Sequence, residues 1–172
     1  KYCTTLTSIN LPDSIKSIEH SAFLGCTSLQ SINIPVTVES IGMMAFSGCT
    51  KLEEIELPSN ITSIEEATFQ GCIALKTIDI PNSVTSIGRS AFSDCTSLTD
   101  ITIPDSVESV GSSTFYGCSA LTSCTFPYNT KVSVQSDTFT DCDVLKTVFL
   151  PNVPNGISGA TTNIPSKPAK IY

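Results

Sequence analysis

Apolar residues recur along this chain with a period of 23 residues. Each period opens on the pattern Leu-x-x-Ile-x-Ile-Pro, with small variations, in which apolar and polar positions alternate. Such alternation predicts a half-buried β-strand. The proline that follows ends the strand's hydrogen bonding, because proline has no backbone N–H. Seven copies occur, the last after 24 residues, and they begin at Leu6, Leu29, Leu52, Leu75, Leu98, Leu121 and Leu145. Self-similarity at a fixed period of this length predicts a solenoid.

The remainder of each repeat predicts two further short elements. In the copy from 29 to 51, Val38 and Ile41 indicate a second short strand. The Ala45-Phe46 segment lies between glycine and serine breaks and leaves room for about one helical turn. We therefore expect a parallel β-sheet with short second strands and a single helical turn per repeat. The side chains of this copy that should point inward are Leu29, Ile32, Ile34, Val38, Ile41, Ala45, Phe46 and Cys49.

Stacking the repeats places like residues in columns. The phenylalanine column should contain Phe23, Phe46, Phe69, Phe92, Phe115 and Phe139. The cysteine column should contain Cys3, Cys26, Cys49, Cys72, Cys95, Cys118 and Cys142. Neighbouring strands lie roughly 4.7–4.9 Å apart, but parallel side chains in register rarely meet the dihedral angle of a disulfide. We therefore expect reduced, buried thiols that act as small apolar residues. Cys124 replaces a strand isoleucine and should be buried as well.

One position after the second strand alternates between glycine and glutamate. Gly42, Gly88 and Gly111 occupy it in three copies, and Glu19 and Glu65 occupy it in two others. Because glutamate is accepted there, the position does not demand a positive φ angle.

The repeat pattern also divides the chain. We expect residues 1–151 to form the solenoid with seven strand rungs, and one extra residue between Pro127 and Phe139 predicts a loop insertion. Residues 152–172 are rich in proline and glycine, which predicts a tail or cap with a possible last strand over 169–172. The amino end shows no comparable cover, which favours a piece of a longer protein.

Composition narrows the classes of partner. The net charge is −7, which argues against nucleic acid and anionic membranes. No apolar run approaches the roughly 20 residues that span a bilayer, so we expect no direct membrane insertion. No glycine-rich phosphate loop is present, and no cofactor is predicted.

The outward strand positions carry most of the candidate chemistry. In the central copies they are acidic, whereas the outer copies hold mostly small neutral residues. The predicted binding patch consists of Glu54, Glu56, Thr77, Asp79 and Asp100 on the expected concave face. Three interpretations stay open: a negative patch that attracts a basic partner, a solvated face that keeps the rod soluble, and a calcium site without a loop motif to support it.

Other candidate sites are weaker. His20 is the sole histidine, so neither a zinc site nor a hydrolase triad is expected, and we interpret it as a surface residue. Asn60-Ile61-Thr62 is a glycosylation triplet, and Asn60 is a candidate acceptor in a secretory protein.

The whole unit resembles the BspA-type leucine-rich repeat. The resemblance is clearest in Phe-Ser-Gly-Cys-Thr-Lys-Leu over 46–52 and Phe-Ser-Asp-Cys-Thr-Ser-Leu over 92–98, and it departs at Cys124, at the insertion and in the tail. It implies a curved parallel-β solenoid in a surface-exposed or secreted protein of host-associated bacteria or parasitic protists, used for adhesion or protein binding. It supplies no catalytic residues.

We therefore expect a non-enzymatic binding module that uses the concave sheet. Its partner would be an extracellular host protein or another surface protein. A structural spacer within a larger cell-surface protein is the alternative. A β-helix polysaccharide lyase is disfavoured, because Arg89 is the only arginine and lies outside the strand positions.

Overall fold

The chain coils into a parallel β-solenoid. The computed structural model describes residues 2–127, 132, 134, 135, 137–149, 170 and 171. We number the coils from the strand leucines, so that turn 1 is 6–28, turn 2 is 29–51, turn 3 is 52–74, turn 4 is 75–97, turn 5 is 98–120 and turn 6 is 121–144. Three sides of each turn make different backbone contacts with the next turn.

The first side forms the inner sheet, which carries the Leu-x-x-Ile-x-Ile segments. Its strands are β1 (Ser8–Asn10), β3 (Ser31–Asn33), β7 (Asp100–Thr102), β9 (Ser123–Thr125), β10 (Thr147–Phe149) and β11 (Lys170–Ile171). β1 pairs with β3, and β7, β9, β10 and β11 pair in that order, all in parallel. The register joins equivalent residues of successive turns, for example Ser8 with Ser31.

The second side carries the short second strands that the sequence predicts. They are β2 (Ser17–Ile18), β4 (Ser40–Ile41), β5 (Ser63–Ile64), β6 (Ser86–Ile87) and β8 (Ser109–Val110). β2 pairs with β4, and β5, β6 and β8 form a separate parallel sheet. The parallel solenoid with short second strands is therefore confirmed.

The third side corrects one prediction. The described residues contain no helix, and short hydrogen-bonded reverse turns occupy the segment where a single helical turn was expected. Alternate N–H groups donate to the following coil, with Met44, Phe46 and Gly48 bonded to the carbonyls of 66, 68 and 70 at 3.0, 2.9 and 2.7 Å. Met44 and Gly48 have positive φ angles of 56° and 72°. The N–H groups that a helix would use internally thus bond to the neighbouring coil instead.

The inward positions of turn 2 are confirmed, since all eight of the expected side chains are buried. The largest fully buried side chains belong to the phenylalanine column. Phe23, Phe46, Phe69, Phe92, Phe115 and Phe139 form one continuous stack, with ring centroids between 5.4 and 5.7 Å apart and interplanar angles of at most 12°. Phe126 contacts the last ring edge-on at 6.2 Å.

The cysteines from Cys26 to Cys142 are buried thiols. From Cys49 onward, each column thiol donates a hydrogen bond to the carbonyl of a phenylalanine in the preceding turn, as Cys95 does to Phe69 at 3.2 Å. Burial raises the pKa of the Cys49 and Cys142 thiols from 9.0 to about 12. Cys3 departs from the prediction because it is exposed; no earlier coil of the described chain covers it.

The division into a solenoid over 1–151 and a tail over 152–172 stays a prediction. Of the tail, the structure describes Lys170 and Ile171, which form β11 beside β10. The predicted insertion falls partly on 128–131, 133 and 136, outside the described residues.

The phenylalanine stack yields a test of what holds the coils together. Phe92 is fully buried between Phe69 and Phe115, at 5.5 and 5.7 Å. Phe92→Ala should therefore lower the free energy of unfolding by about 3–5 kcal/mol, measured by urea denaturation. His20→Ala is the control, since His20 is exposed. Equal midpoints for the two variants would show that the stack is not the core.

The thiol column yields a pH dependence. The unfolded chain releases thiol protons near pH 9.0, whereas folded Cys49 and Cys142 keep theirs until about pH 12. The unfolded state thus binds fewer protons above pH 9, so stability should fall as pH rises, by up to ~1.4 kcal/mol per pH unit for each such thiol. Urea midpoints between pH 8 and 10 measure the effect.

Replacing both thiols by alanine provides the control for that pH dependence. The double variant starts from a lower stability, but its midpoint should decline less steeply above pH 9. Parallel declines for the parent and the variant would mean that other groups cause the alkaline loss.

Candidate functional site on the inner sheet

Five residues of the predicted binding patch lie on the solvent-exposed face of the inner-sheet side of the solenoid. We call Glu54, Glu56, Thr77, Asp79 and Asp100 the acidic strip. All five side chains are exposed, and the isoleucines that alternate with them are buried, including Ile55, Ile78 and Ile101 at 6%, 6% and 3% exposure. The structure thus brings the predicted residues together on three consecutive turns.

The strip follows from the alternation of each segment and from the 23-residue period. Glu56 and Asp79 hold equivalent positions on adjacent turns, and Thr77 separates the equivalent positions Glu54 and Asp100. Adjacent parallel strands lie roughly 4.8 Å apart. Like charges on neighbouring rungs repel each other, so the strip concentrates negative charge without internal compensation.

One lysine lies beside the strip. Lys76 Nζ bonds to Glu53 Oε2 at 2.6 Å, and both side chains are largely exposed. This hydrogen bond and the lysine charge lower the pKa of Glu53. Within the described residues, none of the four strip carboxylates forms an ion pair. Asp100 accepts a hydrogen bond from Thr99 Oγ1 at 2.9 Å.

Two open grooves follow the strip. The larger, of about 690 Å³, runs from turn 4 to the strand that follows turn 6 and is lined by Thr77, Asp79 and Asp100 together with Phe126 and Phe149. The second, of about 560 Å³, is lined by Glu54, Glu56, Thr77 and Asp79. Each groove combines carboxylates with apolar side chains, which suits a ligand that presents both cationic and apolar groups.

The inner sheet is unpaired at four of the five strip residues, which the sequence did not predict; Asp100, on β7, is the exception. The expected strands over 54–56 and 77–79 make no ladder with their neighbours. A single backbone bond, from Lys76 N to the Glu53 carbonyl at 3.1 Å, joins turns 3 and 4 on this side. Glu54, Glu56, Thr77 and Asp79 therefore lie on the least firmly paired part of the described inner sheet.

Phe149 is not among the predicted site residues, although it lines the larger groove. It is half-buried and holds the position equivalent to Asp79 on turn 4. The period could have identified it, since 79, 102, 125 and 149 share one outward position. The ring supplies apolar surface at the end of the groove opposite Asp79.

The remaining candidates lie elsewhere. Asn60 is exposed, and its Nδ2 donates to the Val36 carbonyl of the preceding turn at 2.7 Å. His20 is exposed on turn 1. In the described part of the chain, no three His, Cys, Asp or Glu side chains are placed to hold a metal ion. The same residues contain no helix long and apolar enough to cross a membrane.

Comparisons with known proteins support the repeat assignment. The family model described as "BspA type Leucine rich repeat region" matches residues 1–88 and 62–162 in six copies. The comparison with curated proteins finds no match.

Solved structures show the same fold. The T. pallidum leucine-rich repeat protein TpLRR is 36% identical, with a TM-score of 0.77 over 82% of this chain and 68% of that chain. A leucine-rich repeat protein from Bacteroides ovatus is 32% identical, with a TM-score of 0.60 over 89% of this chain and 51% of that one. One from Eubacterium ventriosum is 28% identical, with a TM-score of 0.73 over 87% and 40%.

This chain therefore spans about half of the Bacteroides protein and less of the Eubacterium protein. The family model covers most of the chain. The chain belongs to the BspA-type leucine-rich repeat family.

Proposed function

We propose that this chain is a non-enzymatic protein-binding or adhesion module of a surface or secreted protein, and that its acidic strip contacts the partner. The family membership supports the general role, because leucine-rich repeat proteins commonly mediate protein interactions. The observation that carries the proposal is the alignment of four exposed carboxylates on three turns, along two grooves.

The charge of the strip indicates the chemistry of the partner. Neighbouring rungs lie closer together than the Debye length, about 8 Å at physiological salt, so their carboxylates interact. A partner that presents lysine or arginine side chains would relieve that repulsion and gain favourable contacts. We therefore infer a basic segment of an extracellular host protein or of another surface protein as the ligand.

The shape of the strip supports the same inference. The larger groove presents the half-buried Phe149 ring together with carboxylates. Protein interfaces combine an apolar centre with polar contacts at the rim. A purely structural spacer would need neither the grooves nor the clustered charge, and the small neutral outward residues of turns 1 and 2 are the feature that fits it.

Neutralising the strip tests the proposal. The variant Glu54→Gln, Glu56→Gln, Asp79→Asn and Asp100→Asn should remain folded and at least as stable as the parent, because it removes repulsion between exposed groups. It should lose most of its affinity for immobilised basic extracellular proteins, and binding by the parent should weaken as salt rises. Surface plasmon resonance against a panel of extracellular-matrix proteins measures both effects.

A second quadruple variant controls for net charge. Asp13→Asn, Glu39→Gln, Glu66→Gln and Asp143→Asn also removes four carboxylates, but these lie outside the strip. It should retain binding. Equal capture by both variants and the parent would move the contact surface elsewhere and favour the spacer role.

A further inference from the structure

No strand of turn 2 pairs with a strand of turn 3, whereas strands pair across the neighbouring boundaries. β4 in turn 2 pairs with β2 behind it, and β5 in turn 3 pairs with β6 ahead of it. On the inner side, β3 pairs with β1, and the segment 54–56 of turn 3 forms no strand. Both sheets are thus interrupted at one boundary, whereas turns 3, 4 and 5 stay joined through the second sheet.

The backbone contacts that remain at this boundary all lie on the phenylalanine side. They are the three hydrogen bonds from the N–H groups of Met44, Phe46 and Gly48. Among the described residues, the Asn60 side chain adds one bond away from that side, to the Val36 carbonyl. Turns 1 and 2, by comparison, are also joined through β1–β3 and β2–β4.

The sequence explains the interruption of the second sheet. Gly42, Gly88 and Gly111 donate their N–H groups to the carbonyls of residues 18, 64 and 87 in the preceding turn, at 2.8, 2.7 and 2.8 Å. A Cβ atom at these glycines would lie 2.6, 2.5 and 2.4 Å from a backbone nitrogen of that turn. Turns can therefore pair here only where the later turn has no side chain.

Turn 3 has Glu65 at this position. The equivalent bond, from the Glu65 N–H to the Ile41 carbonyl, is absent from the described structure. Glu65 instead accepts a hydrogen bond from Ser63 Oγ at 2.6 Å within its own turn. The Cβ of Glu65 occupies the space that a close approach of the two backbones would need.

We propose that Glu65 acts as a wedge that divides the solenoid into two cooperative units, residues 2–51 and the turns from residue 52 onward. The stability of a repeat array depends on the contacts between neighbouring repeats, so a weakened boundary lets one block open without the other. The amino-terminal block opens first, beside the end of the acidic strip at Glu54 and Glu56. This inference rests on backbone pairing and is independent of the proposed function.

Native-state hydrogen exchange on the whole chain tests the wedge. In the parent, the amides of Gly42 and Phe46 should share one opening free energy, lower than that of the Gly88 and Phe92 amides, with a step between the two groups. Glu65→Gly removes the wedge and should slow exchange of the first group at least about threefold, since one regained hydrogen bond stabilises by that order. The Gly88 and Phe92 amides should change little.

Glu19→Gly is the matched control, because Glu19 holds the same position in turn 1 and does not face the boundary. It should leave exchange of the first group unchanged or slightly faster, owing to the flexibility of glycine. The reverse substitution, Gly88→Glu, should place turn 3 in the more readily opened unit. A smooth gradient of exchange without a step, or equal effects of Glu65→Gly and Glu19→Gly, would overturn the proposal.

Discussion

The structure depends on the hydrogen-bonded contact between the phenylalanine sides of successive turns. Alternate N–H groups on this side donate to the next coil at every described boundary from turn 1 to turn 6, whereas each of the two sheets is interrupted at least once. The bonds require one residue such as Met44 and one such as Gly48 to adopt positive φ angles. They hold the rings of the phenylalanine stack 5.4–5.7 Å apart. The strand pairing in the two sheets can differ from one boundary to the next because the hydrogen bonds on the phenylalanine side recur at each of them.

The cysteines depend on the same contact. From Phe23 to Phe115, each carbonyl of the phenylalanine stack accepts an N–H bond from its own turn, as Phe69 does from Cys72 at 3.1 Å, and a thiol bond from the next turn, as from Cys95 at 3.2 Å. A carbonyl has two lone pairs, so the thiol satisfies the second one in a place that water does not reach. The bond also gives the buried S–H group a partner, and a buried donor without one would cost more than the hydrogen bond contributes. The column therefore has a structural reason beyond its small apolar volume.

Sequence reasoning predicted the features that depend on period and alternation. The coil, the inward residues of turn 2 and the exposure of Glu54 and Asp79 all follow from repeating one pattern. It failed where neighbouring copies differ in detail. The predicted helical turn is absent because its N–H groups bond to the next coil, and the exposure of Cys3 reflects its place before the first described turn. The position held by Gly42 or Glu65 has no positive φ angle, as the sequence predicted. The close approach of two backbones at this position is visible only in three dimensions.

Inward and outward positions of each repeat are under different constraints. Inward positions must match between turns, since each ring of the phenylalanine stack packs against the ring of the next turn and each column thiol from Cys49 onward bonds to a carbonyl of the preceding turn. Outward positions meet only solvent and neighbouring side chains, so the acidic strip could arise on turns 3 to 5 without changing the core. Position 65 lies between these two classes, because its side chain is exposed while its Cβ stands where the equivalent glycines let two backbones approach closely. A substitution at such a position alters the pairing of whole turns while leaving the phenylalanine stack intact. This is why the wedge and the strip can lie side by side in one regular coil.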